Sequence, residues 1–240
     1  MMPDDWYPDL KGWDEEHFGK PGKDESAYCD MEFGPYVTSK EVRILELGFG
    51  NGGLLGWCRQ RGYECVGIES NPLLMARAAK AGFNTVVSLT GARERYGDHS
   101  FDLVVAMDVL EHIPAPDIPN VLRDIHALLV PGAVFVARFP NGDSPFGRAY
   151  QNGDITHVTV LGSGKVSSLA GHAKFIVERF KEPAVPLRGA GMTRVCKRLS
   201  AKAWRSVIGA LISHAYFTGG IRVLSANMVA ILRSRPVPPP

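Results

Sequence analysis

From Val42 onward, short apolar runs alternate with amphipathic stretches, and the alternation predicts strands and helices in regular turn. Val42–Leu47 reads as a strand and Leu54–Arg61 as a helix that stops near Gly62. Glu64–Glu69 is the next strand, followed by a helix over Pro72–Ala81 with Gly82 as its stop. Thr85–Leu89 is a weaker strand and Phe101–Met107 a strong one. Ile118–Leu129 has the spacing of an amphipathic helix closed by Pro131-Gly132, and Ala133–Phe139 is the fifth strand. Val166–Ala173 predicts a short helix, and Phe175–Phe180 and Leu224–Leu232 two strands that complete the sheet. Strands and helices in this order imply βαβ units, hence an α/β fold: a doubly wound, mostly parallel seven-stranded sheet with helices on both faces. Ligands of such sheets bind outside the carboxyl ends of the strands, so the strand-to-helix loops share one cleft.

The two ends of the chain break this pattern. Residues 1–40 are rich in Asp, Gly, Pro and aromatics, and they predict an irregular N-terminal arm with one short helix, held by aromatic anchors. Thr193–Phe217 carries Val195, Leu199, Trp204, Val207, Ile208, Leu211, Ile212 and Tyr216 at helical spacing, with Lys197, Arg198, Lys202 and Arg205 on the other side. The organisation expected is the arm, a domain at 41–235 with a C-terminal helical insertion at about 188–220, and a mobile tail at 236–240.

Apolar residues make up 45% and charged ones 22% of the 240 residues, the profile of a soluble chain with a real core. No run approaches the ~18 apolar residues of a membrane span, and the first residues lack the leader of a secretory signal. Cys29, Cys58, Cys65 and Cys196 form no close pair and no zinc-type spacing, so reduced thiols and a cytoplasmic location are expected. The net charge of +2 conceals a split. The first 34 residues hold ten acids against three lysines, whereas nine Lys and Arg and no acid follow Glu182. Such an end meets phosphate, lipid headgroups or nucleic acid, or packs on the acidic arm.

Gly48-Phe49-Gly50-Asn51-Gly52-Gly53 follows a strand and opens a helix, where glycines let backbone N–H groups approach a ligand. The pattern also satisfies the dinucleotide motif, so alone it establishes only a nucleoside cofactor. Glu46, two residues before Gly48, would face a pyrophosphate unfavourably but suits the cationic amino acid end of S-adenosylmethionine. Glu69 ends the second strand 21 residues after Gly48, within reach of both ribose hydroxyls, and has little evident structural purpose. Glu46–Gly52, Gly67–Pro72, Asp102–His112 and Leu129–Ala133 together resemble the successive motifs of class I S-adenosylmethionine-dependent methyltransferases. The resemblance implies a Rossmann-like fold, with Gly48, Gly50 and Gly52 lining the methionine moiety and Glu69 at the ribose. It also places Met107, Asp108, Val109 and His112 beside the cofactor, and Asn51 and Ser70 join them as cofactor-binding positions. His112 reads equally as a helix-start histidine with a structural bond. Where the family often has an acid near the adenine, this chain has Leu89-Thr90-Gly91.

Methyl transfer to a hydroxyl needs alignment of nucleophile, methyl and sulfur, and removal of a proton. Two polar loops follow the fifth strand: Arg138–Gly147, with Arg138, Asn141, Ser144 and then Arg148 as acceptor-binding candidates, and Gly153–Thr159. His157 is the candidate base, since an unperturbed imidazole pKa of ~6.5 suits proton removal near neutrality. Asp154, three residues earlier, would orient the ring or bind the acceptor; otherwise both side chains serve the turn and the packing. The stretches Tyr7–Trp13, Phe139–Gly147 and Gln151–His157 also resemble bacterial methyltransferases associated with surface polysaccharide synthesis, which implies O-methylation of a sugar on a glycan or its precursor. A small lipophilic acceptor such as a quinone precursor is the alternative, and a non-catalytic cofactor-binding subunit a third. A nucleic-acid substrate is not expected, because the Asn-Pro-Pro-Tyr type of motif is absent. No metal is expected either, for want of a carboxylate cluster. The basic helix would meet an anionic membrane surface, or cap the site by burying Trp204, Val207, Ile208 and Leu211 on the sheet or a second subunit.

Overall fold

The computed structural model of the chain describes residues 6–187, 191–216 and 223–235. In chain order its elements are α1 (Trp6–Leu10), α2 (Lys23–Glu32), β1 (Arg43–Leu47), α3 (Gly53–Arg61), β2 (Glu64–Ile68), α4 (Pro72–Lys80) and β3 (Asn84–Val86). They continue with α5 (Leu89–Tyr96), β4 (Phe101–Met107), α6 (Ile118–Leu128), β5 (Leu129–Pro140), α7 (Arg148–Asn152), α8 (Ser163–His172), β6 (Phe175–Lys181), α9 (Met192–Tyr216) and β7 (Asn227–Ser234). The seven strands form one sheet in the order β3-β2-β1-β4-β5-β7-β6. Neighbours from β3 to β5 pair in parallel, and β7 runs antiparallel to both β5 and β6. The Rossmann-like sheet expected from the strand pattern is therefore present.

Strand alternation builds two cores. Leu45, Val104, Phe135 and Ala137 face one side, where Ile118, Leu122 and Ile125 of α6 and Val166 and Ala170 of α8 cover them. Ile44, Leu103, Val105, Val134 and Val136 face the other, under Leu54 and Trp57 of α3 and Cys29 and Phe33 of the arm. Burying such side chains contributes roughly 1.5–3 kcal/mol each. The arm is thus one wall of the domain, and it holds two helices in its described part where one was expected.

Local chemistry corrects two boundaries. The strand expected over Thr85–Leu89 is cut to Asn84–Val86, because the Ser88 side chain accepts from Gly91 N and starts α5 instead. Pro131-Gly132 does not itself close the helix: α6 stops at Leu128, and β5 begins at Leu129 and carries both residues in a register slip against β4 between Leu129 and Val134. The C-terminal insertion is helical as its spacing predicts, yet no residue of α9 is buried, with Trp204 67% and Leu211 64% exposed. The expectation that Trp204, Val207, Ile208 and Leu211 bury themselves on the sheet is not met. The tail at 236–240 and parts of the expected insertion, 188–190 and 217–222, lie outside the described residues.

Candidate active site

The sheet order reverses between β1 and β4, which lie side by side although two strands separate them in sequence. A cleft opens at their carboxyl ends. One wall is the turn Gly48–Gly52, in which Gly48 has φ +69° and Gly50 φ +52°. A Cβ on Gly48 would stand 2.7 Å from Val109 Cγ2, and one on Gly50 would stand 2.8 Å from the Trp13 ring. Only glycine fits both positions.

Three acids surround this turn. Glu46 is buried beneath it, and among the described residues its Oε2 has no hydrogen-bond partner. Burial pushes its pKa well above the usual carboxylate range, and the nearby Cys58 and Glu25 add to the effect. The Glu25 carboxylate lies against Gly53, where a Cβ would come within 1.9 Å of its Oε1. Glu69 Oε1 accepts from Ser70 N at 2.8 Å and Asn71 N at 3.0 Å, and its Oε2 accepts from Gly50 N at 3.3 Å. Glu69 therefore does have a structural task, tying the end of β2 to the turn. Ser70 beside it is exposed, and Asn51 Oδ1 is buried without a partner among the described residues. Orphaned acceptors, three clustered carboxyl groups and a turn that excludes side chains fit the cationic amino acid end of S-adenosylmethionine, whose charge would favour the ionised form of Glu46. Leu89-Thr90-Gly91, in place of an adenine acid, forms the first turn of α5.

The opposite wall follows β4. Asp108 adopts φ +55°, and its carboxylate receives Arg138 Nε at 3.0 Å and Arg138 Nη2. Burial alone would lower the pKa of Arg138, but Asp108 overrides it and raises the value. Arg138 thus faces Asp108 and the Tyr28 ring, 5.5 Å to the ring centroid. Half-buried Met107 precedes Asp108, and Val109 seals the glycine turn.

Beyond Val109 the chain gathers a polar cluster. Glu111 is fully buried, and neither of its carboxylate oxygens has a hydrogen-bond partner among the described residues. Burial pushes its pKa up to about 8. His157 Nε2 lies 3.9 Å from Glu111 Oε1 and 3.8 Å from Asp154 Oδ2, and His157 Nδ1 meets the Gln151 carbonyl at 3.1 Å. The rings of His112 and His157 stand edge to face at 4.6 Å. Thr156 Oγ1 donates to Asp154 Oδ1 at 2.6 Å and lies 2.9 Å from His112 Nδ1. Burial lowers the pKa of His112, and the neighbouring His157 lowers it further. Glu111, His112 and His157 each present one metal-ligand atom within 4.8 Å of the others.

The structure therefore brings His157 and Asp154 together, and adds Glu111 and His112 to them. Of the acceptor candidates, it turns Asn141 and Ser144 inward. The Asn141 amide donates to the carbonyls of Val223 and Ser225, and Ser144 Oγ donates to Leu224 O, so both tie the loop to the approach to β7. Arg138 is held by Asp108, while Arg148 is exposed at the start of α7. Sequence reading missed Glu111, although its place between Asp108 and His112 was visible. The aromatic anchors expected in the arm reach the site: Tyr7 stands edge-on to Trp13 at 5.7 Å and to His112 at 6.1 Å, bridging the two halves of the cleft.

A seven-stranded sheet of this order, with a glycine turn at its reversal point, is the fold of S-adenosylmethionine-dependent methyltransferases. Such an enzyme from Archaeoglobus fulgidus superposes with a TM-score of 0.64 at 17% identity, over 92% of this chain and 97% of that one. Another from Mesorhizobium loti gives 0.55 at 17% identity, over 82% and 94%. A family model described as a methyltransferase domain matches residues 21–180, and the chain belongs to that family. A ubiquinone biosynthesis O-methyltransferase of Escherichia coli is 25% identical over 162 residues, 65% of this chain. The chain spans 63% of the length of that relative.

Proposed function

We propose that the chain transfers a methyl group from S-adenosylmethionine to a hydroxyl oxygen of a lipophilic acceptor. The observation that carries this reading is the cluster of Glu111, His112, His157 and Asp154 beside the glycine turn, a place where a hydroxyl can be activated. The cofactor supplies a methyl on its sulfonium. Glu46 and Glu25 hold its cationic end, Glu69 takes its ribose hydroxyls, Gly48–Gly52 line it, and Trp13 and Tyr7 of the arm cover it. His157 and its neighbours orient the acceptor hydroxyl and take up its proton.

A lipophilic acceptor suits the surrounding loops, which expose Phe146, Tyr150, Ile155, Val158 and Val160 while Asn141 and Ser144 face inward. The name of the Escherichia coli relative supports the same choice. O-methylation of a sugar is the second reading, favoured by exposed Arg148 as a group that could reach a phosphate or hydroxyl. A mass-detected methyl-transfer screen decides: prenylated phenols and catechols gain one methyl and nucleotide sugars none. Methylation of sugars alone reverses the order. Methylation of nothing, with S-adenosylmethionine bound, leaves a non-catalytic subunit.

The exposed face of α9 gives such an enzyme a route to its acceptor. Its apolar residues Trp204, Val207 and Leu211 face solvent, and Lys197, Lys202 and Arg205 on the same acid-free helix suit anionic headgroups at ~1 kcal/mol per charge. Among the described residues no helix is long and apolar enough to cross a membrane, so the contact proposed is peripheral. Salt-sensitive flotation with anionic vesicles, lost in Trp204→Ser, is the expected result. No flotation at low salt rejects the membrane role.

A further inference from the structure

We propose that Glu111, His112 and His157 form a binding site for one divalent first-row transition-metal ion. Each residue offers a ligand atom within 4.8 Å of the other two. A tetrahedral ion with bonds of about 2.1 Å separates its donors by roughly 3.4 Å. The 3.9 Å between His157 Nε2 and Glu111 Oε1 needs only a small side-chain adjustment to reach that.

The hydrogen bonds set both histidines in the tautomer that a metal requires. Gln151 O can only accept, so His157 Nδ1 carries the proton and Nε2 presents its lone pair toward Glu111. The Thr156 hydroxyl gives its proton to Asp154, so its oxygen accepts from His112 Nδ1 and leaves Nε2 of that ring as a ligand too. Imidazoles whose second nitrogen is fixed by a carbonyl or a carboxylate chain are the usual outer support of metal ligands. Asp154 supplies this support through Thr156 and is itself held by Lys11 at 2.6 Å.

Glu111 gives the independent observation. It is completely buried, and both its oxygens lack hydrogen-bond partners among the described residues. An isolated carboxylate in such surroundings is costly, and a bound cation removes that cost. Asp108 is not a ligand, because Arg138 occupies its carboxylate. Two imidazoles and one carboxylate select Zn²⁺, Fe²⁺, Mn²⁺ or Co²⁺ over Mg²⁺ or Ca²⁺, which prefer all-oxygen sites. Three protein ligands leave a position for an outside oxygen. With the ion bound, the acceptor hydroxyl would fill that position with its pKa lowered, and its proton would pass to bulk water as the oxygen takes the methyl, because the ligand nitrogen of His157 is then occupied. That last assignment rests on the proposed O-methyl transfer, whereas the site itself does not.

The test is calorimetric titration of the chelator-stripped protein with Co²⁺ alone, and then with Mg²⁺. One equivalent of Co²⁺ should bind per chain, with tetrahedral or five-coordinate visible absorption bands. Glu111→Gln and His157→Gln should each weaken it at least tenfold, while His172→Gln, on the exposed end of α8, should not. If either variant fails to fold by circular dichroism, His112→Gln and the rise in melting temperature of the wild type with Co²⁺ carry the same comparison. Substoichiometric binding, tighter binding of Mg²⁺, or equal affinity in the variants overturns the site. Full methyl transfer in chelator overturns only the ion's role on the hydroxyl. One equivalent bound without methyl transfer to any acceptor overturns the proposed activity instead.

Discussion

Lys11 Nζ donates to Asp154 Oδ2 at 2.6 Å, joining residues 143 positions apart and fastening the N-terminal arm across the mouth of the cleft. The same arm sets Tyr7 against His112 and Trp13 against Gly50. Burial would raise the pKa of Asp154, but the bonds from Lys11 and Thr156 override it and hold the carboxyl well below its usual range. The arm, the glycine turn and the polar cluster are therefore linked by direct contacts.

Lys11→Ala should free the arm and speed release of cofactor and product. Stability should fall by less than about 1 kcal/mol, because the Lys11 side chain is 34% exposed and its charge is partly screened. Stopped-flow displacement of S-adenosylhomocysteine should show release several-fold faster. Unchanged release would mean that the arm does not gate the site.

Gly50→Ala places a Cβ at φ +52° and 2.8 Å from Trp13. The left-handed backbone alone costs about 1–2 kcal/mol, and displacing the indole uncovers the turn. Affinity for S-adenosylmethionine, measured by calorimetry, should drop at least tenfold while the far-ultraviolet circular dichroism stays the same.

Glu111 makes stability depend on pH in a defined direction. Its pKa of about 8 in the folded protein lies above the ~4.3 of an unfolded chain. Between those values the folded state holds a proton that the unfolded state has released, so stability falls as pH rises through that window. Above the folded value the curve flattens. Urea midpoints of the chelator-treated protein at pH 5 and pH 8 should show this loss, and Glu111→Gln should reduce it, the remainder coming from buried Glu46, whose pKa is raised in the same direction.

Arg138→Gln separates two roles for that side chain. Its guanidinium is held between Asp108 and the Tyr28 ring rather than extended toward an acceptor. The variant should lower cofactor affinity and melting temperature and leave the KM for the acceptor nearly unchanged. A selective rise in acceptor KM would restore the sequence-based expectation of an acceptor contact.

The particular residues explain what the sequence disclosed. Phe101–Met107 is bounded by turns and wholly apolar but for Asp102, and its strand has those same limits in the structure. Thr85–Leu89 misled because a capping serine and a β-branched run compete there, and Ser88 wins. In α9, periodicity correctly gives a helix, but it cannot say what the apolar stripe faces. The glycine turn was legible because backbone geometry demands those residues locally. The cluster was only half legible, since His157 was visible as a base while Glu111 stands 46 positions before it and is joined to it by folding alone. Asn141 and Ser144 looked like ligand groups because a loop's polar side chains do not reveal whether they turn inward to its own scaffold.

The central claim is that the glycine turn holds the cofactor while the Glu111–His157 cluster activates the acceptor hydroxyl. His157→Ala tests it most directly, with S-adenosylmethionine affinity and turnover measured on the same preparation. The account predicts affinity within about twofold of wild type and a loss of turnover on the order of 10²-fold or more. Near-wild-type turnover with cofactor bound would contradict it.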